Sequence, residues 1–220
     1  MWRRQLRKRK RLLSDLYTSQ AFKRLGMEEE MKIVLQNRTK KLPGRGRKNP
    51  EEVIAVNDLS FEIPDGKLVG LLGPSGCGKS TTLNLICGLL RPEQGQILLD
   101  GTPVTSGDCR IGYMLQKDHL LEWRTIYKNV LLGLEIRREL TAEKLAYVNQ
   151  LLSDYGLDKF RSAHPSELSG GMRQRAALIR TLALKPELLL LDEPFSALDS
   201  QTRLSVSDDI GRILRQEKKT

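Results

Sequence analysis

The order of apolar and polar positions predicts strands in the first and last parts of the chain and helices between them. Residues 53–63 alternate apolar and polar side chains, which is typical of an antiparallel strand with one solvated face. Strands are also predicted at 31–35, 68–72, 96–99, 111–115 and 188–191, and helix is predicted at 81–87 and over most of 117–167.

Two of the predicted strands, 68–72 and 188–191, are unbroken apolar runs. Continuous apolarity suits a parallel strand that is covered on both faces. Strand 188–191 leads into Asp192 and Glu193 at its carboxyl end, where open α/β sheets place their ligands. The pattern therefore predicts an α/β fold with a parallel core sheet, an antiparallel strand at 53–63 and a mainly helical stretch at 117–167.

A glycine-rich loop, GPSGCGKS at 73–80, follows the predicted strand 68–72 and precedes the predicted helix 81–87. In such a P-loop, successive backbone N–H groups point at phosphate oxygens, and the helix adds its positive N-terminal end. We expect Lys79 to reach the β- and γ-phosphates of ATP or GTP, and the Ser80 hydroxyl to ligate Mg²⁺. The alternative, a coincidental Gly-rich turn, is disfavoured by the strand–loop–helix context. The candidate binding residues are Gly73, Pro74, Ser75, Gly76, Cys77, Gly78, Lys79, Ser80 and Thr81.

Two adjacent carboxylates, Asp192 and Glu193, follow the last apolar strand. Downstream of a phosphate loop, Asp192 is expected to hold the Mg²⁺ shell and Glu193 to deprotonate the attacking water. A correctly placed base is worth roughly 10²- to 10⁴-fold in rate. Without the phosphate loop, the preferred interpretation would be a simple strand cap.

A second potential phosphate site is predicted at Ser169, Gly170 and Gly171, which open a helix. Alone, this short pattern usually marks a helix cap. In a chain with one phosphate loop, however, a second anion-binding helix end indicates a composite site shared between two copies.

The charge of the chain is concentrated at its start. Residues 1–26 hold nine basic side chains and one acidic one, a net charge of +8, which leaves +2 of the total +10 for the rest. The nearly neutral body gives little support for nucleic-acid binding. The basic arm 1–30 is either a lipid-surface anchor or sequence upstream of a start at Met27 or Met31. No apolar run is long enough to span a bilayer, so we expect any membrane role to act through a partner.

The three cysteines, Cys77, Cys87 and Cys109, form no CxxC pair and no metal-binding spacing. We therefore interpret them as ordinary thiols of a reducing compartment.

Together these motifs resemble the ATP-binding cassette (ABC) ATPases, from about Met31 to the last residue. The resemblance implies a P-loop NTPase core in a nucleotide-binding domain at 31–220. It also implies an N-terminal antiparallel β subdomain and an inserted α-helical subdomain at 117–168. The family's motifs map in order to the phosphate loop 73–80, the glutamine loop at Gln116, the signature sequence 168–174, the magnesium carboxylate Asp192, the catalytic base Glu193 and the D-loop 196–199.

The resemblance also implies partners. Two copies would form a head-to-tail dimer with two ATP molecules, each closed over by the partner's signature helix. Gln116 would sense Mg²⁺ and the γ-phosphate and relay that state to a membrane permease, with an extracytoplasmic solute-binding protein involved indirectly. Residues 120–130, which include Trp123, look like the permease-facing stretch of nitrate, sulfonate and taurine importers. The alternative for Trp123 is a role in local packing. The expected location is the cytoplasmic face of the membrane.

Two departures from the family pattern are visible. Leu42 stands where an aromatic residue usually stacks on adenine, a contact worth about 1–3 kcal/mol. In addition, the family's next core strand, which ends in a switch histidine, is not found before Thr220, and neither His119 nor His164 matches it by position. We therefore expect a gap in the core sheet, exposed apolar side chains, and low stability or slow hydrolysis.

Two other functions remain open at this point. One is a non-transport cassette protein acting on ribosomes or DNA, which the nearly neutral body disfavours. The other is a truncated nucleotide-binding fragment with little ATPase activity.

Overall fold

The computed structural model describes residues 31–43 and 52–194, which fall into two compact units divided between Asp108 and Cys109. The basic arm 1–30 and the D-loop 196–199 lie outside the described residues. Within the described residues, no helix has the length and apolar character needed to cross a membrane.

The first unit contains an antiparallel sheet with the strand order β2-β1-β3-β4. The long strands β1 and β2 pair over most of their length, and the register of β1 against β3 runs from Ile33↔Leu99 to Thr39↔Gln94. Ile33, Leu35 and Leu99 are almost completely buried and form the apolar centre of this sheet. The predicted antiparallel subdomain is therefore confirmed. Its strands are β1 Met31–Pro43, β2 Glu52–Pro64, β3 Gln94–Leu99 and β4 Thr102–Pro103.

Helix α1, Lys79–Ile86, follows the phosphate loop and packs Leu83, Leu85 and Ile86 inward. The predicted strand at 68–72 is wrong, because these residues form no regular secondary structure. Leu68 is 77% exposed and Leu72 is 97% exposed. A strand requires a neighbour for its N–H and C=O groups, and no described strand of the first unit pairs with this segment. Within the described residues, these positions therefore carry exposed apolar side chains and make no strand pairing.

The second unit contains the parallel pair β5, Ile111–Met114, and β6, Leu188–Leu191. Their register, from Ile111↔Leu188 to Met114↔Leu191, makes the two carboxyl ends level. The helices predicted from the sequence lie between these two strands along the chain. They are α2 Ile126–Arg137, α3 Ala142–Asp154 and α4 Gly170–Leu182, with short 3₁₀ turns at Asp158–Phe160 and Pro165–Glu167.

The helices α2, α3 and α4 each begin at a hydroxyl cap. Thr125, Thr141 and Ser169 each accept a hydrogen bond from a backbone N–H three residues later, at 3.3 Å. Such caps satisfy one of the free donors at a helix start. The predicted helix start at Ser169 is therefore confirmed.

An apolar cluster packs the described part of the second unit together. Helix α4 contributes Ala176, Leu178 and Ile179, and α2 contributes Ile126 and Leu134, all nearly inaccessible to solvent. Leu188 and Leu190 of β6 are also buried, whereas the alternate positions of this strand are half-buried. The core thus fixes α4 and the carboxyl ends of β5 and β6 in one body.

Candidate active site

The phosphate loop of the first unit depends on the conformation of its glycines. Gly76 and Gly78 have φ angles of 76° and 95°, in the left-handed region that disfavours other residues. A Cβ atom on Gly78 would lie 2.5 Å from the backbone oxygen of Ala55. Gly78 therefore allows β2 and the start of α1 to approach each other closely.

The Lys79 side chain folds back over this loop. Its Nζ atom donates hydrogen bonds to the backbone oxygens of Gly73, at 2.9 Å, and Pro74, at 3.2 Å. The thiol of Cys77, an exposed free cysteine, lies 4.0 Å from the same ammonium. The positive charge of Lys79 is therefore fixed at the mouth of the loop.

The loop and helix α1 have the chemistry of an anion site. Gly78, the N-cap residue of α1, provides no side-chain cap, and the first turn of the helix contains no acidic residue. Free N–H groups at a helix start, together with a lysine, favour phosphate. The Thr82 hydroxyl is already engaged, because it donates to the backbone oxygen of Gly78 at 3.0 Å. The Ser80 side chain, in contrast, is exposed to solvent.

Glu93 forms hydrogen bonds with the three residues of β1 that precede Leu42. Its carboxylate accepts from Lys40 Nζ at 2.9 Å and from the Lys41 backbone N–H at 3.2 Å, and its own N–H donates to the Thr39 oxygen. The hydrogen bond from Lys40 lowers the pKa of Glu93 below its ordinary value. Leu42 itself is half-buried within β1. The position predicted to face adenine therefore carries an aliphatic side chain on a paired strand.

The predicted acidic and amide groups of the second unit lie at the carboxyl ends of β5 and β6. The Asp192 N–H donates to the Met114 oxygen at 2.9 Å and extends the parallel ladder by one residue. Asp192 is 6% exposed, and Tyr113 Oη donates to its carboxylate at 3.5 Å. Its position at the strand's carboxyl end is as predicted.

Glu193 is exposed and has a φ angle of 47°, an unusual conformation for a residue with a side chain. Gln116 Nε2 donates to Glu193 Oε2 at 2.9 Å. The structure thus brings together two candidate catalytic residues that are 77 positions apart in the sequence.

The signature helix α4 presents its N-terminus through Ser169, which is exposed, and through Gly170 and Gly171 in its first turn. Arg173, one turn further along, donates from Nε to Asp118 Oδ2 at 3.1 Å. The start of α4 is therefore linked directly to the segment that follows Gln116.

Sequence reasoning missed a second link at the other end of α4. Arg180 donates to the backbone oxygens of His119, at 2.8 Å, and Asp118, at 2.6 Å. Burial lowers the pKa of Arg180, and the nearby Asp118 charge opposes that effect. The signal in the sequence is an arginine between two apolar stretches, 176–179 and 182–183. His119 itself is exposed.

Asn129 is a further residue that the sequence did not reveal. It is fully buried on α2, and its Oδ1 accepts from the Leu121 N–H at 2.7 Å. Its Nδ2 lies within 3.0–3.1 Å of the backbone oxygens of Leu121, Arg124 and Thr125. This amide holds the loop 121–125, on which Trp123 is 76% exposed. Trp123 therefore does not serve as local packing.

The metal chemistry of these residues is that of a hard cation. The described residues contain no cluster of three or more His, Cys, Asp or Glu side chains that could hold a metal alone. Mg²⁺ typically binds one or two protein oxygens and completes its shell with substrate phosphates and water. Ser80 in the first unit, and Gln116 and Asp192 in the second, each carry an oxygen donor of this kind, so the chemistry of each side chain fits Mg²⁺ bound together with a nucleotide.

The profile of the ABC transporter family matches residues 56–196. The chain belongs to the ABC transporter family, as one of its ATP-binding domains. A solved ATP-binding cassette, MJ0796 in a dimeric post-hydrolysis state with ADP and Pi, superposes with a TM-score of 0.73 at 30% identity, over 86% of this chain and 85% of that one. The fold is therefore that of the P-loop NTPases.

Curated relatives give the same assignment. The chain is 51% identical over 170 residues, 77% of its length, to the uncharacterized ABC transporter ATP-binding protein YtlC of Bacillus subtilis. It is 50% identical over 152 residues, 68% of its length, to the sulfate/thiosulfate import protein CysA of Synechocystis. It is 49% identical over 151 residues, 69% of its length, to the taurine import protein TauB of Rhizobium johnstonii. These matches span 65%, 43% and 58% of the respective relatives.

Proposed function

We propose that this ABC domain binds and hydrolyses ATP with Mg²⁺ to drive a membrane importer. The observation that carries the proposal is the hydrogen bond from Gln116 to Glu193 at the carboxyl ends of two parallel strands. An exposed carboxylate in this position has the chemistry of a general base, and the adjacent amide orients it.

The residues divide the reaction between them. Backbone N–H groups of 73–81 and the Lys79 ammonium bind the phosphates and stabilise the charge that develops on them. Glu193 takes the proton of the attacking water. Ser80, Gln116 and Asp192 would hold Mg²⁺, which when bound neutralises charge on the β- and γ-phosphates. Leu42 provides an apolar contact for adenine in place of a stacked ring.

The working unit is proposed to be a head-to-tail dimer. Ser169, Gly170 and Gly171 form a second anion-binding helix start that the phosphate loop of the same domain does not need. The dimeric state of the structural neighbour supports the same assembly. In the proposed dimer, each signature helix closes over the ATP held by the other copy.

The membrane partner is proposed to be an importer permease that carries a small anion such as nitrate, a sulfonate or taurine. Relatives that are 49–50% identical are named for taurine and sulfate/thiosulfate import. The exposed Trp123, on a loop held rigid by Asn129, offers a fixed apolar contact for such a partner. The domain would lie at the cytoplasmic face, with a solute-binding protein acting on the far side and no nucleic acid involved.

Binding of Mg-ATP by the purified chain tests the first part of the proposal, that residues 73–81 bind nucleotide. Wild type is expected to bind Mg-ATP, and Lys79→Ala is expected to lose most of that binding, because it removes the only side-chain charge in 73–81. Lys67→Ala, at an exposed position just before the segment 68–72, is the matched control and should bind like wild type. Equal binding by wild type and Lys79→Ala would overturn the proposal.

One observation favours a second candidate function, that of a nucleotide-binding chain with little turnover. Residues 68–72, which lead into the phosphate loop, are exposed and form no strand. A phosphate loop that is preceded by an exposed, unpaired segment would bind ATP but position its phosphates poorly for reaction. Mg-ATP binding with a turnover rate no greater in wild type than in Glu193→Gln would support this second function over the first.

A further inference from the structure

We propose that Arg180 is a positioning residue for Gln116 and acts by holding the turn at Asp118 and His119 against helix α4. The guanidinium spans two consecutive backbone oxygens, at 2.6 and 2.8 Å. Its five N–H donors form a planar fork, so one side chain can fix two acceptors at once. The role in catalysis rests on the proposed function, whereas the role in holding the turn does not.

The chain between the two anchored points is short. Met114 ends β5 and is tied to β6 through the Asp192 N–H, and Asp118 is tied to α4. Three residues lie between them, of which Gln116 is the middle one. With both ends of this segment held, the Gln116 amide is directed at Glu193. Release of the far end would free Gln116 to sample other directions.

The same turn receives a second contact from the start of α4. Arg173 Nε donates to Asp118 Oδ2 at 3.1 Å, and Asp118 Oδ1 accepts from the Leu120 N–H at 3.2 Å. Arg173 and Arg180 lie two turns apart on one helix, which rises about 1.5 Å per residue. Any displacement of α4 therefore moves the turn and, through it, the backbone on one side of Gln116.

Arg180 is a suitable residue to change because it lies outside the nucleotide-contacting motifs. Arg180→Met keeps the length of the side chain and its apolar packing but removes both hydrogen bonds. Arg180→Lys keeps a donor and the charge but not the planar fork. Arg137→Met is the matched control, because Arg137 also lies in the last turn of a helix and donates to a backbone oxygen, that of Cys109 at 3.2 Å.

Hydrogen exchange on the nucleotide-free full chain tests the holding role. Arg180→Met is expected to exchange about tenfold faster than wild type at the amides of 117–120. Arg180→Lys should be intermediate, and Arg137→Met should match wild type there. Thermal melts show whether each variant is folded. If Arg180→Met does not fold, Arg180→Lys decides the outcome. Unchanged exchange at 117–120, or an equal change in Arg137→Met, would overturn the proposal.

Steady-state ATP hydrolysis at varied Mg²⁺ tests the positioning role. Loss of an outer-shell partner typically costs 10- to 100-fold in metal affinity or activity. We expect Arg180→Met to raise the Mg²⁺ concentration for half-maximal rate and to lower kcat by factors in this range, with KM for ATP little changed. Equal loss in Arg137→Met, or an unchanged Mg²⁺ requirement, contradicts positioning. If wild type hydrolyses no ATP, the proposed function fails and the exchange measurement alone decides whether Arg180 holds the turn.

Discussion

The side-chain amide of Gln116 donates a 2.9 Å hydrogen bond to the carboxylate of Glu193. Gln116 follows β5 and Glu193 follows β6, and the level register of these strands brings the two side chains together. An amide can donate to the ionised carboxylate without neutralising it. The contact therefore orients Glu193 while leaving it competent to accept a proton.

The first prediction concerns Glu193 itself. Glu193→Gln is expected to lower kcat for ATP hydrolysis by roughly 10²- to 10⁴-fold, because the amide cannot take a proton from water. Mg-ATP binding should be retained, since shape and size are preserved. Steady-state turnover and equilibrium binding measure the two effects separately.

The control for this substitution is Glu187→Gln. Glu187 is exposed just before β6, at the opposite end of the same strand. Its replacement should leave turnover unchanged. Comparable losses in the two variants would show that Glu193 does not act as the base.

The second prediction concerns Gly78. Gly78→Ala places a methyl group 2.5 Å from the Ala55 oxygen and requires a φ angle near 95° for a residue with a side chain. Such strain costs about 1–3 kcal/mol, and the loop must shift to relieve it. We expect a lower free energy of unfolding and weaker Mg-ATP binding, measured by urea denaturation and by calorimetry.

Gly70→Ala is the matched control for Gly78→Ala. A Cβ atom at Gly70 meets no other atom within 4 Å, and its φ angle lies outside the left-handed region. This variant should bind and unfold like wild type. A similar loss of binding in both variants would indicate that the close approach at Gly78 is not what the loop requires.

Much of the fold is predictable from the sequence because local signals and long-range packing agree. The alternation at 53–63 and the apolar run at 188–191 both became strands within one residue of the predicted ends. Ser169 caps α4 as expected, because a serine hydroxyl at a helix start can accept a hydrogen bond from a backbone N–H of the first turn. In these segments the local pattern and the tertiary environment favour the same structure.

The segment 68–72 shows where sequence reasoning failed. Its apolar side chains predict a buried strand, yet burial depends on neighbouring strands that periodicity does not reveal. The Arg180 contacts were missed for a related reason, since they join backbone oxygens that are 61 and 62 positions away. Patterns in a single sequence identify residue types, but not the non-local partners of an arginine.

The third prediction is a pH dependence of the Lys40–Glu93 pair. The hydrogen bond from Lys40 lowers the pKa of Glu93 in the folded state. The pair therefore stabilises the fold above the unfolded value, about 4.3, and this contribution is lost as the pH falls through the folded value. We expect the difference in Tm between wild type and Glu93→Gln to be positive near neutral pH and to shrink below about pH 4.

Lys40→Met and the double variant complete the test of this pair. In a double-mutant cycle, the coupling between Lys40 and Glu93 should be present near neutral pH and absent in acid. High salt should weaken it, because both side chains reach solvent. A coupling that is independent of pH would contradict the assigned ion pair.

The fourth prediction concerns Asn129 and the loop that carries Trp123. Asn129→Ala leaves the Leu121 N–H and several backbone oxygens without their buried partner. A group left unsatisfied in this way costs about 1–3 kcal/mol, so the free energy of unfolding should fall by at least that amount.

Gln150→Ala is the control, because it removes an exposed amide that binds Asp154 and should lower the free energy of unfolding far less. The chain has two tryptophans, so a Trp2→Phe background isolates the signal of Trp123. The fluorescence anisotropy of Trp123 should then fall, as 121–125 loosens in Asn129→Ala, at denaturant concentrations where the rest of the fold persists. Identical denaturation curves for Asn129→Ala and Gln150→Ala would show that the buried amide does not support this loop.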